Sequence, residues 1–326
     1  MKKNIKIKFT GFWAGFDEQR NFFTEVLEKH YRVEISDAPD YIFCSVLGTP
    51  YEECNYEGIR IHFNGENYTP DFNIHDYGIS YNNLKLEDRH LQFPLYLVPK
   101  KPLLLVSQKH LNVDVELLRS KSYFCNFVYG VSRDYREQAF EKFNTYKPVM
   151  SPGTGKNNMP NHPFVKTLDE KLDFLGKCKF TIAFDSTSLP GFATEKIMHA
   201  FAAQTIPIYF GDPKIGEHFN KKAFIDVADY DFDLDKVLER IKEIDQNDEL
   251  YLSILREPVF KDENYIAKKQ EEFEAFLVHV FSQDTDKAFR RSRIAGPKFH
   301  NDRLKEFSQL FKSKWFMFFK KLITKF

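Results

Sequence analysis

Residues 184–197 combine carboxylate, hydroxyl and ammonium side chains around a predicted strand-to-helix turn. The pattern predicts a strand, a polar loop and a helix that begins near Thr194 and is capped by its hydroxyl. The helix amides and dipole would then face the carboxyl edge of a sheet, which is an anion site. Lys196 adds a positive charge, and Asp185 and Glu195 can bind ribose or sugar hydroxyls. The segment predicts a nucleotide-diphosphate site, although it also fits an ordinary helix start.

A second candidate is Glu66, in a glycine turn directly after a predicted strand at residues 60–63. A carboxylate at such a turn can point into a cleft and accept a proton from an attacking hydroxyl. The alternative is a solvated loop glutamate. His75 and Asp76 can form a pair, although structural hydrogen bonds explain them equally well.

Arg136 lies in a predicted helix after an apolar run at residues 124–129. A guanidinium can bind diphosphate oxygens bidentately. The spacing alone also fits an arginine on the solvated face of that helix.

These residues need a scaffold of alternating strands and helices. In the first half, strands are predicted at residues 5–9, 31–35, 41–46 and 60–63, with a helix at 17–29. In the second half, strands are predicted at 179–184, 205–210 and 224–227, with helices at 194–203, 234–245 and 266–281. A stretch rich in Pro, Gly and Asn at residues 150–163 predicts a linker.

The predicted fold class is therefore α/β, with two Rossmann-like domains facing a cleft. The expected boundaries are residues 1–150 for an N-terminal domain, 151–287 for a nucleotide-binding domain, and 288–326 for a basic amphipathic tail.

Charge is distributed unevenly along a chain whose formal net charge is zero. Residues 288–326 carry eleven Lys and Arg against Asp302 and Glu306. The neutral total argues against nucleic acid as a partner. Four scattered cysteines without a CxxC pair fit a reducing cytoplasm and buried thiols, and the spacing of His, Asp and Glu predicts no metal site.

The basic tail is amphipathic, with apolar residues recurring near helical spacing from Leu304 to Phe326 and Trp315 among them. Such a helix can lie on an anionic membrane surface. A C-terminal helix that packs on the core is the alternative. The first interpretation predicts a peripheral location at a membrane surface.

Three blocks of motifs follow one another along the chain. The first block comprises Gly65-Glu66-Asn67 through Asp76-Tyr77, Asp88-Arg89-His90 and Phe93-Pro94-Leu95-Tyr96. The middle block comprises Phe124-Cys125-Asn126-Phe127-Val128, Arg136 and Tyr146-Lys147-Pro148-Val149. The last comprises Lys179-Phe180, Thr194-Glu195-Lys196-Ile197 and Thr205-Ile206-Pro207-Ile208-Tyr209-Phe210-Gly211-Asp212-Pro213. Together these blocks resemble the bacterial α-1,3-fucosyltransferase family of the Helicobacter and Bacteroides type. The basic tail also resembles the membrane-associating C-termini of Helicobacter-type members, which implies a cytoplasmic protein, peripheral on the inner face of a bacterial inner membrane.

The resemblance implies a GT-B fold and an inverting transfer of L-fucose from GDP-fucose to N-acetyllactosamine, lactose or a lipid-linked oligosaccharide, without a metal or other cofactor. It implies that residues 1–150 carry the acceptor side with Glu66 as the general base. It also implies that residues 151–287 bind GDP-fucose, with Arg136 and Lys196 holding the diphosphate. Glu195 would contact ribose or fucose, and Phe192 would occupy the position of a donor-contacting Tyr.

This chain departs from the family pattern at the donor site. Asp185-Ser186 replaces the usual Glu-Asn, and Phe192 lacks the phenolic hydroxyl of the usual Tyr. Asp185, Ser186 and Phe192 are still expected to line the donor site. Two alternatives therefore remain: a related transferase that uses another nucleotide sugar, and a non-catalytic protein that binds glycans or nucleotide sugars.

Overall fold

A computed structural model describes residues 2–98, 100–109, 113–159 and 167–312. The chain divides into two compact units. Unit 1 comprises Met1–Phe93 and Lys269–Phe326, and unit 2 comprises Pro94–Lys268. The domain boundaries expected at residues 150 and 287 are corrected, because residues 94–150 build part of unit 2 and the chain re-enters unit 1 at Lys269.

Unit 1 contains a six-stranded parallel sheet in the order β2-β1-β3-β4-β5-β6. Its strands are β1 (Asn4–Thr10), β2 (Arg32–Ile35), β3 (Tyr41–Cys44), β4 (Ile59–Phe63), β5 (Tyr77–Ser80) and β6 (His90–Gln92). Short 3₁₀ helices in this unit span Glu52–Asn55 and Glu87–Arg89. The four strands predicted from the sequence are all present, and β5 and β6 extend the same sheet.

Helix α1 (Phe22–His30) begins five residues later than its apolar pattern predicted. Asn21 sets this start, since its side chain accepts hydrogen bonds from the backbone N–H groups of Phe23 and Thr24. The Thr24 hydroxyl accepts the N–H of Asn21 in return, which completes a capping box. Local side-chain hydrogen bonds therefore fix the helix boundary more sharply than hydrophobic periodicity does.

The two faces of the unit 1 sheet differ in character. On one face, Phe9, Phe43 and Phe63 pack with Phe23 of α1, and the ring centroids of Phe23 and Phe43 lie 4.2 Å apart. Alternation along the strands turns their neighbours, such as His62, to the other face. On that polar face, Arg60 donates to Cys54 of the 3₁₀ helix Glu52–Asn55 and to Asn301 of a helix near the end of the chain.

Unit 2 contains a five-stranded parallel sheet in the order β11-β10-β9-β7-β8. Its strands are β7 (Tyr123–Asn126), β8 (Val149–Met150), β9 (Cys178–Phe184), β10 (Ile206–Phe210) and β11 (Ile225–Asp226). The helices that begin in this unit are α2 (Lys100–Ser107), α3 (Val115–Arg119), α4 (Asp134–Asn144), α5 (Leu168–Gly176), α6 (Glu195–Ala202), α7 (Leu234–Asp245), α8 (Asp248–Arg256) and α9 (Tyr265–Ser282). Short 3₁₀ helices span Leu95–Leu97, Ile215–Glu217, Lys221–Ala223 and Val227–Tyr230. The α/β class is confirmed in both units.

The segment expected to be a linker is folded within unit 2. Ser151 is fully buried, and its hydroxyl donates to the backbone carbonyl of Phe127. Its N–H donates to the side chain of Asn158. The prediction of a linker is therefore wrong for residues 150–159. Residues 160–166 lie outside the described residues.

The C-terminal segment adds α10 (Thr285–Ala288) and α11 (Ala295–Lys312). Helix α11 packs on unit 1: Ser308 is fully buried and accepts a hydrogen bond from Asn55, and Asn301 accepts one from Arg60. The prediction of a tail separate from the core is therefore wrong for residues 288–312. The alternative, a C-terminal helix that packs on the core, is correct there. Residues 313–326, including Trp315, lie outside the described residues. Within the described part of the chain, no helix has both the length and the apolar character needed to cross a bilayer.

Candidate functional site

The turn between β9 and α6 positions most of the predicted donor-site residues. β9 ends at Phe184, and α6 begins at Glu195, so both carboxylate positions of the segment lie at the carboxyl edge of the parallel sheet. Thr194 is the N-cap residue, but its side chain makes no capping hydrogen bond. The Thr194 hydroxyl instead donates to Asp185 and accepts a 2.9 Å hydrogen bond from Lys196 Nζ. The expected hydroxyl cap is therefore corrected.

Asp185 is buried within unit 2, with 2% of its surface exposed, and its carboxylate contacts three neighbouring segments. Its carboxylate also accepts hydrogen bonds from the Thr194 backbone N–H at 3.3 Å and from the Tyr209 hydroxyl of β10 at 3.2 Å. Lys196 Nζ lies 3.6 Å from Asp185 Oδ1. Burial raises the pKa of Asp185 to about 6, against the opposing effect of Lys196. Asp185 therefore joins β9, β10 and α6, while the following Ser186 is exposed.

We expect Asp185→Asn to remove a pH dependence of stability. The folded chain binds the Asp185 proton more tightly than the unfolded chain does, so this group contributes stability below about pH 4 and loses it as pH rises through about 6. The difference in unfolding free energy between wild type and Asp185→Asn should fall by up to about 3 kcal/mol from pH 4 to pH 7. Urea unfolding of both proteins measures it. A difference that rises with pH would contradict the burial argument.

A cavity of about 440 Å³ opens beside the first turn of α6. It is lined by polar and charged side chains from three regions of unit 2, including Thr154, Thr167, Lys171, Glu195, Lys196 and His199. Glycines form another wall, and a Cβ atom at Gly153 would lie 2.5 Å from the Tyr129 carbonyl oxygen. Gly153 thus allows the two backbone segments to approach each other.

Two lysines and one glutamate supply the charged side chains of this cavity. Burial alone would raise the pKa of Glu195, but Lys196 and Lys171 outweigh it and lower that pKa to about 2. Burial lowers the pKa of His199 to about 3, so its imidazole is neutral near pH 7. The lining therefore carries the two lysines Lys171 and Lys196 against the one carboxylate of Glu195, while the buried Asp185 carboxylate lies 3.6 Å from Lys196 Nζ. Burial lowers the pKa of Lys171. Both lysines are groups that can bind an anionic ligand.

Lys171 is a residue that the sequence analysis missed. It lies on α5, whose start is fixed by a capping box between Thr167 and Glu170. The Thr-x-x-Glu spacing was available in the sequence as a helix-start signal. Nothing in the sequence, however, indicated that α5 would bring Lys171 next to Glu195.

Arg136 and Phe192 are placed differently from the cavity-lining residues. The Arg136 guanidinium is buried and donates to the carbonyls of Val131 at 2.9 Å and Phe184 at 2.8 Å. Its Nε has no partner within the described part of the chain. Phe192 is 2% exposed. Neither is among the described residues that line the cavity, so their contacts with a donor remain predictions.

Glu66 lies in unit 1, three residues after the end of β4. Its side chain is exposed, and its backbone N–H donates to Asn64 Oδ1 at 3.0 Å. Asn64 also donates to the Tyr68 carbonyl, which closes the turn around Glu66. The loop therefore holds the backbone of Glu66 and leaves its carboxylate accessible.

His75 and Asp76 have the structural roles considered in the sequence analysis. Asp76 is fully buried and accepts hydrogen bonds from the backbone N–H groups of Arg60, Arg290 and Arg291. His75 Nε2 lies 3.2 Å from Glu53 Oε1. Neither residue pairs with the other.

Two family models match the chain. Residues 7–99 match the N-terminal domain of α-(1,3)-fucosyltransferase FucT, and residues 120–275 match the C-terminal part of glycosyltransferase family 10 (fucosyltransferase). The chain belongs to the family 10 fucosyltransferases. The matched ranges contain the three blocks from which the sequence analysis predicted this family.

Relatives of this family 10 chain include α-(1,3)-fucosyltransferase FucT of Helicobacter pylori, 28% identical over 292 residues that cover 78% of this chain and 60% of that protein. A putative fucosyltransferase of Acanthamoeba polyphaga mimivirus is 33% identical over 172 residues, 51% of this chain and 28% of the relative. The chain thus spans only part of the length of both curated relatives.

Solved structures establish the fold of this family 10 chain. An α1,3-fucosyltransferase crystal structure superimposes with a TM-score of 0.71 at 24% identity and covers 90% of this chain and 93% of that one. A second, described as a complex with GDP-fucose, gives 0.70 at 23% identity, with 90% and 94% coverage. The two parallel-sheet units therefore form a GT-B-type fold, as the resemblance implied.

Proposed function

We propose that this protein is an inverting glycosyltransferase that moves L-fucose from GDP-fucose to a glycan hydroxyl. The observation that carries the proposal is the cavity beside α6, which Lys171, Glu195 and Lys196 line in a family 10 chain. A related structure is described as a GDP-fucose complex, which supports the same donor here.

The donor half of the reaction needs charge stabilisation on the departing GDP. Lys171 and Lys196 supply fixed positive charge at the cavity wall. Glu195 is ionised and can accept hydrogen bonds from ribose or fucose hydroxyls. Cations of this kind can neutralise a diphosphate without a metal, so we propose metal-independent transfer. Arg136 would join them through its unpartnered Nε only after a change of side-chain conformation.

The acceptor half needs a base. Glu66 supplies an accessible carboxylate, which would take the proton from the attacking hydroxyl as the bond to fucose forms and the bond to GDP breaks. Carboxylates nearby also favour the positive charge of an oxocarbenium-like transition state. We propose the 3-hydroxyl of N-acetylglucosamine or glucose as the nucleophile, in N-acetyllactosamine, lactose or a lipid-linked oligosaccharide, giving Lewis X-type products.

The test is transfer of radiolabelled fucose from GDP-fucose to N-acetyllactosamine and lactose with EDTA present. Labelled product, with its linkage and anomeric configuration read by NMR, would support the donor, the metal independence and the inversion. The exposed Lys214 provides a control, because Lys214→Met should transfer as wild type does, whereas Lys196→Met should lose activity. Donor binding without transfer to either acceptor would favour the non-catalytic alternative. Stabilisation by a different nucleotide sugar would favour the alternative donor.

We also propose that the C-terminal residues contact an anionic membrane surface. Helix α11 is fixed to unit 1 but leaves Phe299, Phe307 and Leu310 exposed. The residues that follow it add four lysines and five more aromatic rings: Lys314, Lys320, Lys321 and Lys325, and Trp315, Phe316, Phe318, Phe319 and Phe326. Basic and aromatic residues together favour binding at the interface of anionic lipid. A peripheral location on the inner membrane face follows from this proposal.

Deleting residues 313–326 should release the protein from vesicles that contain phosphatidylglycerol, while transfer to a soluble acceptor stays within about twofold of wild type. This deletion leaves α11 and its contacts with Asn55 and Arg60 intact. Co-sedimentation measures the binding, and a variant with the four terminal lysines changed to Gln separates charge from apolar contact. Unchanged sedimentation of the deletion variant would refute the proposal.

A further inference from the structure

Three ligand-type side chains meet on the polar face of the unit 1 sheet. Cys44 of β3 and His62 of β4 are direct partners in the parallel pairing, so their side chains lie on the same face. His75 lies two residues before β5, the next strand. All three are at most 2% exposed, and one ligand atom from each lies within 4.8 Å of the others.

The hydrogen bonds of the two histidines leave one nitrogen of each unused. His75 Nε2 contacts Glu53 Oε1 at 3.2 Å, and His62 Nε2 contacts Asn64 Nδ2 at 2.9 Å. The Nδ1 atoms of His62 and His75 are buried without a partner within the described residues. Buried polar atoms are nearly always satisfied, so two such atoms in one cluster point to a missing ligand.

We propose that Cys44 Sγ, His62 Nδ1 and His75 Nδ1 bind a thiophilic divalent cation of the Zn²⁺ type. One thiolate and two imidazoles are ligands that Zn²⁺ accepts. Tetrahedral Zn²⁺ holds such atoms roughly 3.4–3.6 Å apart, given metal–ligand distances of about 2.0–2.3 Å. Side-chain movements of about 1 Å would therefore form the site.

The surroundings supply the rest of a metal site. Glu53 fixes His75 through Nε2, as carboxylates commonly do for metal-bound histidines. A pocket of about 260 Å³, lined in part by Glu53, His62, Tyr68 and His75, provides room for a water molecule as fourth ligand. On binding, the Cys44 thiol proton passes to solvent and the sulfur lone pair coordinates the cation, so that thiolate and Glu53 together balance a 2+ charge.

Asn64 links this cluster to the Glu66 loop. A cation on His62 Nδ1 requires the ring proton on Nε2, which then faces the Asn64 amide N–H at 2.9 Å. Asn64 must then turn its carbonyl oxygen toward His62. In the structure, that oxygen accepts the Glu66 N–H. Binding of the cation is therefore expected to break the hydrogen bond between Asn64 and the Glu66 N–H and to change the conformation of the Glu66 loop. This coupling, but not the site itself, depends on the proposed function.

Co²⁺ is the probe that tests the site, since it reports thiolate ligation optically. The full chain is treated with a chelator, freed of it, and titrated with Co²⁺. We expect one equivalent to bind, with tetrahedral d–d bands, a thiolate-to-cobalt charge-transfer band, and displacement by Zn²⁺. Cys44→Ser should abolish the charge-transfer band, and His75→Gln should weaken binding by at least about tenfold.

Cys54→Ser is the matched control, because Cys54 is a buried thiol beside Arg60 in the same unit but outside the cluster. It should keep the full cobalt spectrum. Far-ultraviolet circular dichroism of each metal-free variant shows whether it is folded. Absence of the charge-transfer band in folded wild type, or its persistence in Cys44→Ser, would overturn the proposal. The readout is independent of transfer, so failure here and failure of the proposed function are distinguishable.

Discussion

Glu66→Gln is expected to lower the turnover number for fucose transfer by about 10²–10⁴-fold. The amide keeps the size of the side chain but cannot accept the proton of the acceptor hydroxyl. Asn64 holds the backbone of Glu66 and not its carboxylate, so the loop should keep its conformation. The cavity beside α6 belongs to unit 2, and GDP-fucose affinity should therefore remain unchanged.

Steady-state kinetics and calorimetric titration with GDP-fucose separate the two quantities. Glu34→Gln serves as the control, because Glu34 is an exposed carboxylate on β2 of the same unit and should leave both quantities at wild-type values. Wild-type turnover in Glu66→Gln would eliminate this residue as the base. Loss of donor affinity would instead assign it to donor binding.

Arg291→Met is expected to cost about 3–5 kcal/mol of unfolding free energy, the effect of leaving one member of a buried ion pair without its partner. Arg291 Nε lies 3.3 Å from Asp76 Oδ2, and the side chains are 6% and 0% exposed. The guanidinium also donates to the Gly58 carbonyl at 3.0 Å. Met preserves most of the apolar stem, so the loss reports charge and hydrogen bonding.

Urea unfolding followed by circular dichroism measures this change. Arg303→Met is the control, since Arg303 and Glu306 form an exposed pair on α11, with side chains 66% and 70% exposed. Such pairs contribute about 0–1 kcal/mol. An equal, small effect of both substitutions would show that the segment after α9 adds little to unit 1.

The strands were predictable because their signal is local. Residues 5–9 alternate apolar and polar side chains, and residues 179–184 form a short stretch rich in aromatic and β-branched side chains. The unit to which a strand belongs, by contrast, depends on pairing with residues far away in the sequence. β7 joins the second sheet because Cys125 pairs with Phe180, 55 positions along the chain, and no window of sequence contains that information. The boundary at residue 93 was missed for this reason.

The candidate site was predictable in part. Glu195 and Lys196 line the cavity beside α6, because the helix start predicted after a parallel strand fixes their position, and their contact with a donor stays a prediction. Asp185 was expected to face a ligand but is enclosed by Tyr209, which β10 contributes. The proximity of Cys44 and His62 likewise depends on strand pairing, and sequence spacing gave no sign of it.

The discontinuity of unit 1 determines when each part of the protein can fold during synthesis. Residues 94–268 are continuous, so unit 2 can fold while the ribosome is still at work. The strands of unit 1 emerge earlier from the ribosome. The ion pair of Asp76 with Arg291 and the hydrogen bond of Arg60 with Asn301 cannot form until the later residues have been synthesised. About 200 residues separate Phe93 from Arg291, a delay of roughly 10–40 s at typical translation rates. The first part of the chain to leave the ribosome is therefore the last to reach its native state.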